Sequence, residues 1–143
     1  MKPFLLPILI AALLVGCKRE EDVRTYFFEH QAQFDTIAKV LLYRHAKVGY
    51  FNDEDAANPR IKQALTDIDY FSIDLWMNGN CDTTGRYAKV QIKMNNWVYI
   101  DGMKMPYYYI YTKCLKDSFR YESNNTIEGY LTPHWTYFIE KNL

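Results

Sequence analysis

Residues Tyr87–Met94 read YAKVQIKM, and this stretch decides the class of fold because apolar and polar side chains alternate along it. A period of two is typical of a strand with one face against a core and the other toward solvent. The residues predicted to be buried are Ala88, Val90, Ile92 and Met94. The opposite face carries Tyr87, Lys89, Gln91 and Lys93. The sequence therefore predicts a half-buried sheet.

The stretch before it alternates in the same way. In Asp69–Met77 one predicted face holds Phe71, Ile73, Leu75 and Met77. The other face of this strand holds Tyr70, Ser72, Asp74 and Trp76. The first set is the more apolar, so we expect it to face the core.

Two turns and two further strands follow the decisive stretch. Asn95-Asn96 and Asp101-Gly102 are candidate two-residue turns, since Asn, Asp and Gly tolerate a positive φ. They would delimit a strand at Trp97–Ile100, with another at Tyr107–Cys114. The result is an antiparallel meander of about four strands.

The C-terminal segment 132–139 can be interpreted in two ways. Thr132 followed by Pro133 suits the start of a helix, whereas the β-branched and aromatic run after it favours a strand. We favour the strand, which gives a sheet of four to five strands.

The period is about 3.6 in the N-terminal part of the chain. A stripe at spacings of three and four, interrupted at Arg44, predicts one long helix over about 22–48; it comprises Val23, Phe27, His30, Phe34, Ile37, Leu41 and Val48. The acidic residues Glu20–Asp22 before it and Gly49 after it agree with the helix dipole and a glycine C-cap. Residues 49–60 have a loop composition, and Asn58-Pro59 can begin a short helix that ends near Thr66.

Helix first and sheet afterwards is the pattern of an α+β domain in which the long helix packs across the sheet. This order of elements resembles cystatin-like and NTF2-like folds. The likeness is one of element order and implies no activity.

Composition bounds the class of protein. The chain has 143 residues with 17 basic and 17 acidic side chains, and 17% of its residues are aromatic. This length and apolar content are typical of one compact domain, predicted over 23–143. The basic residues are interleaved with acidic ones rather than clustered, which excludes a nucleic-acid partner.

The first residues form a short positive region and then an apolar run from Phe4 to Val15, too short to span a bilayer. Leu14-Val15-Gly16-Cys17 directly follows and resembles the lipobox of bacterial lipoproteins. The resemblance implies that residues 1–16 are a cleaved signal peptide and that Cys17 carries lipid with acyl chains such as palmitate. An ordinary secretory signal is the alternative.

The resemblance also implies an envelope location. Asp at the position after the lipidated cysteine favours the inner membrane in Gram-negative lipoproteins, and Lys18 stands there instead. We therefore expect the outer membrane, with the domain facing the periplasm. If residues 17–22 are the tether, it reaches at most about 18 Å.

Two cysteines remain after lipidation of Cys17. Cys81 and Cys114 in an exported chain predict one disulfide, and two unpaired cysteines are the alternative. The chain-entropy model gives a disulfide closing such a loop about 3 to 4 kcal/mol of stability.

The sequence favours a protein that is not an enzyme. It contains no Gly-x-Ser-x-Gly, His-Glu-x-x-His or Cys-x-x-Cys motif, and Asp82-Thr83-Thr84-Gly85 is best interpreted as a turn. His30, His45 and His134 are dispersed, so neither a metal site nor a cofactor is implied. Asp69 and Asp74 fall on opposite faces of a strand and cannot act as a catalytic pair.

The most suggestive feature is the second face of the predicted sheet, rich in tyrosine and tryptophan. It comprises Tyr70, Asp74, Trp76, Tyr87, Lys89, Trp97, Tyr99, Tyr107, Tyr109 and Tyr111. These side chains give large contact area at low entropic cost and are frequent in binding surfaces. Cross-strand aromatic pairs that only stabilise the sheet are the alternative.

These observations predict a membrane-anchored envelope lipoprotein that binds a protein partner, similar in size and anchor to inhibitor or immunity lipoproteins. One alternative is cell-wall glycan binding or hydrolysis, with Trp76 or Trp97 stacking on sugars near Asp74 and Asp101. Another is a structural homo-oligomer in which the aromatic face is buried.

Overall fold

The computed structural model describes residues 19–44, 51–76, 89–112 and 120–141. In these ranges helices precede strands. The helices are α1 (Glu20–Glu29), α2 (Gln31–Arg44), α3 (Asp53–Ala57) and α4 (Pro59–Thr66). The strands are β1 (Tyr70–Trp76), β2 (Lys89–Ile100), β3 (Met103–Thr112), β4 (Arg120–Glu122), β5 (Thr126–Thr132) and β6 (Trp135–Glu140). The predicted α+β class is confirmed.

The described strands form one antiparallel sheet in the order β1-β2-β3-β6-β5-β4. It consists of two three-stranded meanders that meet where β3 pairs with β6. The predicted C-terminal strand is confirmed as β6, whereas β4 and β5 have no counterpart in the prediction. The connection from β3 to β4 falls within 113–119, outside the described residues.

The N-terminal helical stripe is divided at His30 instead of forming one helix. His30 has φ −119° and ψ 17°, and its Nδ1 donates to the carbonyl of Tyr26 at 3.0 Å. Its ring also stacks on that of Tyr26, with centroids 4.2 Å apart. A side chain that bonds to the backbone competes with the helical pattern, and a new helix begins at the next residue. Residues 45–48 of the predicted helix lie outside the described residues.

Asparagine caps begin both short helices. The predicted helix over 59–66 is confirmed as α4, because the Asn58 side chain accepts from the backbone N–H groups of Arg60 and Ile61. The prediction of a loop over 49–60 is wrong for residues 53–57. Asn52 and Asp55 form a reciprocal capping box there, and it begins α3.

The core lies between the sheet and α1 and α2. Phe27 and Phe34 stack on each other with ring centroids 5.5 Å apart, and both contact Tyr109 of β3 and Trp135 of β6. All four side chains are buried. Burying large aromatic side chains contributes about 1.5 to 3 kcal/mol each, so these four dominate the contact between helices and sheet.

The polar atoms of these buried aromatic residues are paired with the helices. The Tyr109 hydroxyl donates to the carbonyl of Val23 at 2.6 Å, and Trp135 Nε1 donates to Asp35 Oδ1 at 2.8 Å. Burial raises the pKa of Tyr109, so its hydroxyl stays protonated and remains a donor. The two bonds fix where α1 and α2 lie on the sheet.

Two irregularities in the strands overturn part of the predicted alternation. A register shift between Tyr70 and Ser72 turns Phe71 outward, where it is 65% exposed, while Tyr70 packs against the core. Ile73 and Leu75 are buried as predicted, and Met77 lies outside the described residues. The predicted buried position of Phe71 is therefore wrong, because a bulge shifts the phase by one residue.

The second irregularity replaces a predicted turn. Asn95-Asn96 does not reverse the chain; β2 continues through it with a register shift between Lys93 and Trp97. Both amide groups donate to the carboxylate of Asp69, at 3.1 and 2.7 Å. These bonds hold the two residues in a bulge, and Trp97–Ile100 is thus the second half of β2. The Asp101-Gly102 turn is confirmed, with φ of 52° and 77°.

The start of α1 is fastened to the far edge of the sheet. Arg120 of β4 donates two hydrogen bonds of 2.9 Å to the carboxylate of Glu20, and the Tyr137 hydroxyl also donates to it. Arg120 and Lys141 both contact Glu122, at 3.0 and 2.6 Å. We call Glu20, Arg120, Glu122, Tyr137 and Lys141 the N-terminal clamp.

Tyr109→Phe tests the bond between β3 and α1. The substitution keeps the ring and removes a buried hydrogen bond, so we expect the free energy of unfolding to fall by about 1 kcal/mol. Urea denaturation followed by circular dichroism measures it. Tyr43→Phe is the control, since Tyr43 is 91% exposed and should change nothing. Equal stability of the Tyr109 variant and the parent chain would contradict the role given to this bond.

Glu20→Gln tests the N-terminal clamp through pH. The hydrogen bond from Arg120 lowers the pKa of Glu20 from the usual 4.5, although partial burial acts in the opposite direction. The ionised carboxylate therefore stabilises the fold above the unfolded-state pKa, and this contribution is lost as pH falls through the folded-state pKa. We expect the variant to be less stable by about 1 kcal/mol at pH 7, with the difference lost as pH falls through the lowered folded-state pKa of Glu20.

Denaturation at a series of pH values measures this difference. Glu21→Gln is the matched control, because Glu21 is an exposed neighbour outside the clamp. If the difference in free energy of unfolding between the variant and the parent chain did not change with pH, the charge of Glu20 would not be what stabilises the clamp.

Candidate binding surface

The face of the sheet opposite the helices, here called the outer face, carries the candidate site. Alternation and register place on it Phe71, Ser72, Asp74, Lys89, Gln91, Lys93, Trp97, Tyr99, Lys104, Tyr108, Ile110, Glu128, Thr136, Phe138 and Glu140. Apolar rings lie among charges of both signs. Such a mixture is typical of surfaces that contact other proteins.

A shallow depression of about 300 Å³ occupies the middle of the outer face. Tyr108, Ile110 and Phe138 supply its apolar lining, and Lys89, Glu128 and Glu140 supply charges of both signs. The depression is therefore suited to a surface that brings both apolar and charged groups.

Tyr108 is held in place at the centre of this depression. Its hydroxyl donates to Glu140 Oε2 at 3.0 Å, and its ring meets Phe138 edge-on with centroids 5.9 Å apart. Burial, reinforced by the Glu140 carboxylate, raises the pKa of Tyr108 to about 12. The phenol is thus protonated at neutral pH and acts as a hydrogen-bond donor rather than as a base.

Lysines lie over aromatic rings toward the β1 side of the outer face. Lys93 Nζ is 5.1 Å from the ring centroid of Phe71 and 5.6 Å from that of Tyr108, and Lys104 Nζ is 4.7 Å from that of Trp97. Trp97 and Tyr99 are 39% and 37% exposed. We call Phe71, Lys93, Trp97, Tyr99 and Lys104 the aromatic–lysine strip.

The residues of the predicted binding surface do not all lie on one face of the sheet in the structure. Asp74, Lys89, Trp97 and Tyr99 lie on the outer face. The side chains of Trp76 and Tyr87 lie outside the described residues. Four tyrosines lie on the helix side instead and belong to the core or pack against it: Tyr70, Tyr107, Tyr109 and Tyr111. The prediction of one shared face is wrong for these four.

For the three tyrosines of β3 the reason is the register of the two-residue turn between β2 and β3. This turn pairs Trp97 with Pro106, so Tyr107 and its alternate neighbours share a face with Val98 and not with Trp97. Tyr70 faces the core because of the bulge in β1. The residues that the prediction missed include Tyr108 and Phe138. Tyr107–Tyr111 reads YYYIY and is apolar at every position, so alternation alone could not identify which tyrosines face outward.

Other predicted sites lie elsewhere. Cys17, Cys81, Cys114 and His45 lie outside the described residues, and with them the predicted lipidation and disulfide. His134 Nδ1 lies 3.1 Å from the carbonyl of Thr112, and its ring stacks on Tyr111.

Within the described ranges, no cluster of three or more His, Cys, Asp or Glu side chains is placed to hold a metal ion. The helices of these ranges include none that is both long and apolar enough to cross a membrane.

Comparison with known proteins adds no relative: no family model, no curated protein and no solved structure matches the chain. The functional argument therefore rests on the geometry of the outer face.

Thr136, on the outer face, lowers the stability of the fold. Its side chain is buried beside Ile110, and among the described residues its hydroxyl has no hydrogen-bond partner. A buried hydroxyl without a partner costs about 1 to 3 kcal/mol. The fold is thus less stable than it would be with an apolar side chain of the same shape at this position.

Thr136→Val should therefore raise the free energy of unfolding by about 1 kcal/mol, since it replaces the unpaired hydroxyl by a methyl group. Thermal and urea denaturation measure the change. Thr132→Val is the matched control, because the Thr132 hydroxyl accepts from the backbone N–H groups of His134 and Trp135 and its loss should destabilise. A destabilised Thr136 variant would show that the hydroxyl has a partner.

Proposed function

We propose that the chain is a lipid-anchored envelope protein that binds another protein through the outer face of its sheet. Lipid on Cys17 would hold it at the outer membrane, with the domain in the periplasm. Its role would be that of an inhibitor or immunity protein, which acts by occupying a surface of its partner.

The observation that carries this proposal is the aromatic–lysine strip. Phe71, Trp97 and Tyr99 are large apolar side chains that remain substantially exposed on the outer face, Phe71 on β1 and the other two at alternate positions of β2. Lysines held over rings present positive charge without the freedom of an unsupported side chain. Exposed aromatic groups of this kind are the usual energetic centres of protein interfaces.

A binding role also agrees with the chemistry of the depression. Tyr108, its central polar group, is protonated at neutral pH and already donates to Glu140. A general base must accept a proton from its substrate, which this phenol cannot do. The proposed role is therefore recognition without a covalent step.

Glycan binding has less support from the same surface. Sugar rings stack on exposed flat aromatic faces, whereas Tyr108 in the depression is nearly buried and Lys104 Nζ lies over one face of the Trp97 ring. The depression contains an edge-on ring pair rather than a parallel platform. We therefore favour a protein partner over a glycan.

For the fold, we propose a relationship of element order with cystatin-like or NTF2-like domains. The support is the succession of helices followed by an antiparallel sheet in the described ranges. This likeness concerns architecture and has no bearing on the choice of partner.

An affinity experiment on envelope extract tests the function. The parent chain is compared with Phe71→Ala/Trp97→Ala, which removes two exposed rings of the strip, and with Phe28→Ala/Tyr43→Ala, which removes two exposed rings of the helices. We expect one protein to be retained by the parent chain and by the helix variant, with at least about 10-fold less retained by the strip variant.

Circular dichroism must show both variants folded. Equal retention by the two variants would place the binding surface away from the strip. If the parent chain retains peptidoglycan fragments and no protein, glycan binding would replace the proposed function.

A further inference from the structure

The central row of the outer face has an order of side chains that is complementary to itself. Register places Lys93 of β2 opposite Tyr108 of β3, Tyr108 opposite Phe138 of β6, and Phe138 opposite Glu128 of β5. The row therefore runs cation, aromatic, aromatic, anion across four adjacent strands. We call these residues the central row.

Consider a twofold axis that lies in the plane of the face, runs parallel to the strands and passes between β3 and β6. Rotation about this axis places a second copy face to face with the first and reverses the order of the central row. If a second copy is placed by that axis, Lys93 of each copy lies opposite Glu128 of the other, and Tyr108 lies opposite Phe138. Isologous dimers require this kind of self-complementarity, and face-to-face packing of sheets with nearly aligned strands is common.

We propose that the outer face binds a second copy of this chain through the central row. The inference rests on the proposed function, since it names a partner for the same surface. Self-association and binding of another protein would then compete for Lys93. The dimer would keep the aromatic–lysine strip covered until that protein displaces the second copy.

The charges on the two sides of the axis have opposite signs, which supports a second copy of the chain as the partner. Lys93 and Lys104 lie on the β2–β3 side, and Glu128 and Glu140 lie on the β5–β6 side. Lys93 is held over Phe71 and Tyr108, and no ion pair joins it to a carboxylate in the described ranges. Asp74 on β1 is the exception to the segregation. A second copy supplies carboxylates opposite the lysines without any change in net charge.

The size of the face sets the expected strength. Six strands about 4.8 Å apart and about 20 Å long present about 500 Å² per copy, or about 1,000 Å² in a dimer. This is the lower limit for a specific interface. We therefore expect a weak dimer with a dissociation constant in the micromolar range, which a tighter partner can displace.

Charge reversal tests the pairing. Lys93→Glu alone, or Glu128→Lys alone, places like charges opposite each other twice in the dimer. We expect either variant to raise the dimer dissociation constant at least about 10-fold. Mixing the two variants brings each new carboxylate opposite a lysine, and the double variant does so within one chain. Both should restore the dimer.

Sedimentation equilibrium of the full chain in density-matched detergent, from about 1 to 100 μM, measures the association at the affinity expected for an interface of this size. Lys62→Glu is the control, since Lys62 is exposed on α4 and away from the sheet. A monomer over the whole range would overturn the proposal, as would a dimer unaffected by Lys93→Glu. Neither result would contradict the proposed function, which depends on retention of another protein by the aromatic–lysine strip.

Discussion

Placement of the helices on the sheet depends on one constraint: a buried aromatic side chain that carries a polar atom must find a partner for it. Tyr109 and Trp135 supply much of the apolar area of the core, and each also places a donor where no water reaches. Val23 and Asp35 accept from them, one on α1 and one on α2. The same two rings that attract the helices thus fix their position along the sheet. A core of leucine could not impose that register.

The sequence predicted the features that depend on local chemistry. Asn58 before Pro59 is a sufficient signal for the start of α4, and Asp101-Gly102 is sufficient for the hairpin turn, because each requirement is met by the residues themselves. The alternation in 89–94 predicted the buried face of β2 for the same reason. These elements needed no knowledge of distant partners.

Features decided by distant residues could not be predicted in this way. Asn95-Asn96 forms a bulge because Asp69 accepts from both amides, and a turn would have been equally consistent with the residues alone. Strand β5 escaped detection because Gly129 interrupts its alternation. A Cβ at Gly129 would overlap the ring of Tyr137, so the missing side chain is the space that this ring fills. The error in the candidate surface has a different origin: the hairpin turn pairs Tyr99 with Lys104, so Tyr107 and its alternate neighbours lie on the face opposite to Tyr99.

The N-terminal clamp has a consequence for how the domain is presented. Its first member is only three residues from Cys17, so in an anchored chain the clamp lies within about 11 Å of the lipidated residue. This is shorter than the roughly 18 Å expected if the tether extended to residue 22. Arg120, the partner of Glu20, is on β4 at one edge of the sheet, and Phe71 is on β1 at the other, about 24 Å away across five strand spacings. In an anchored chain, a domain attached by such a short segment at its β4 edge can pivot about that edge, and its β1 edge is then the one that can turn away from the membrane.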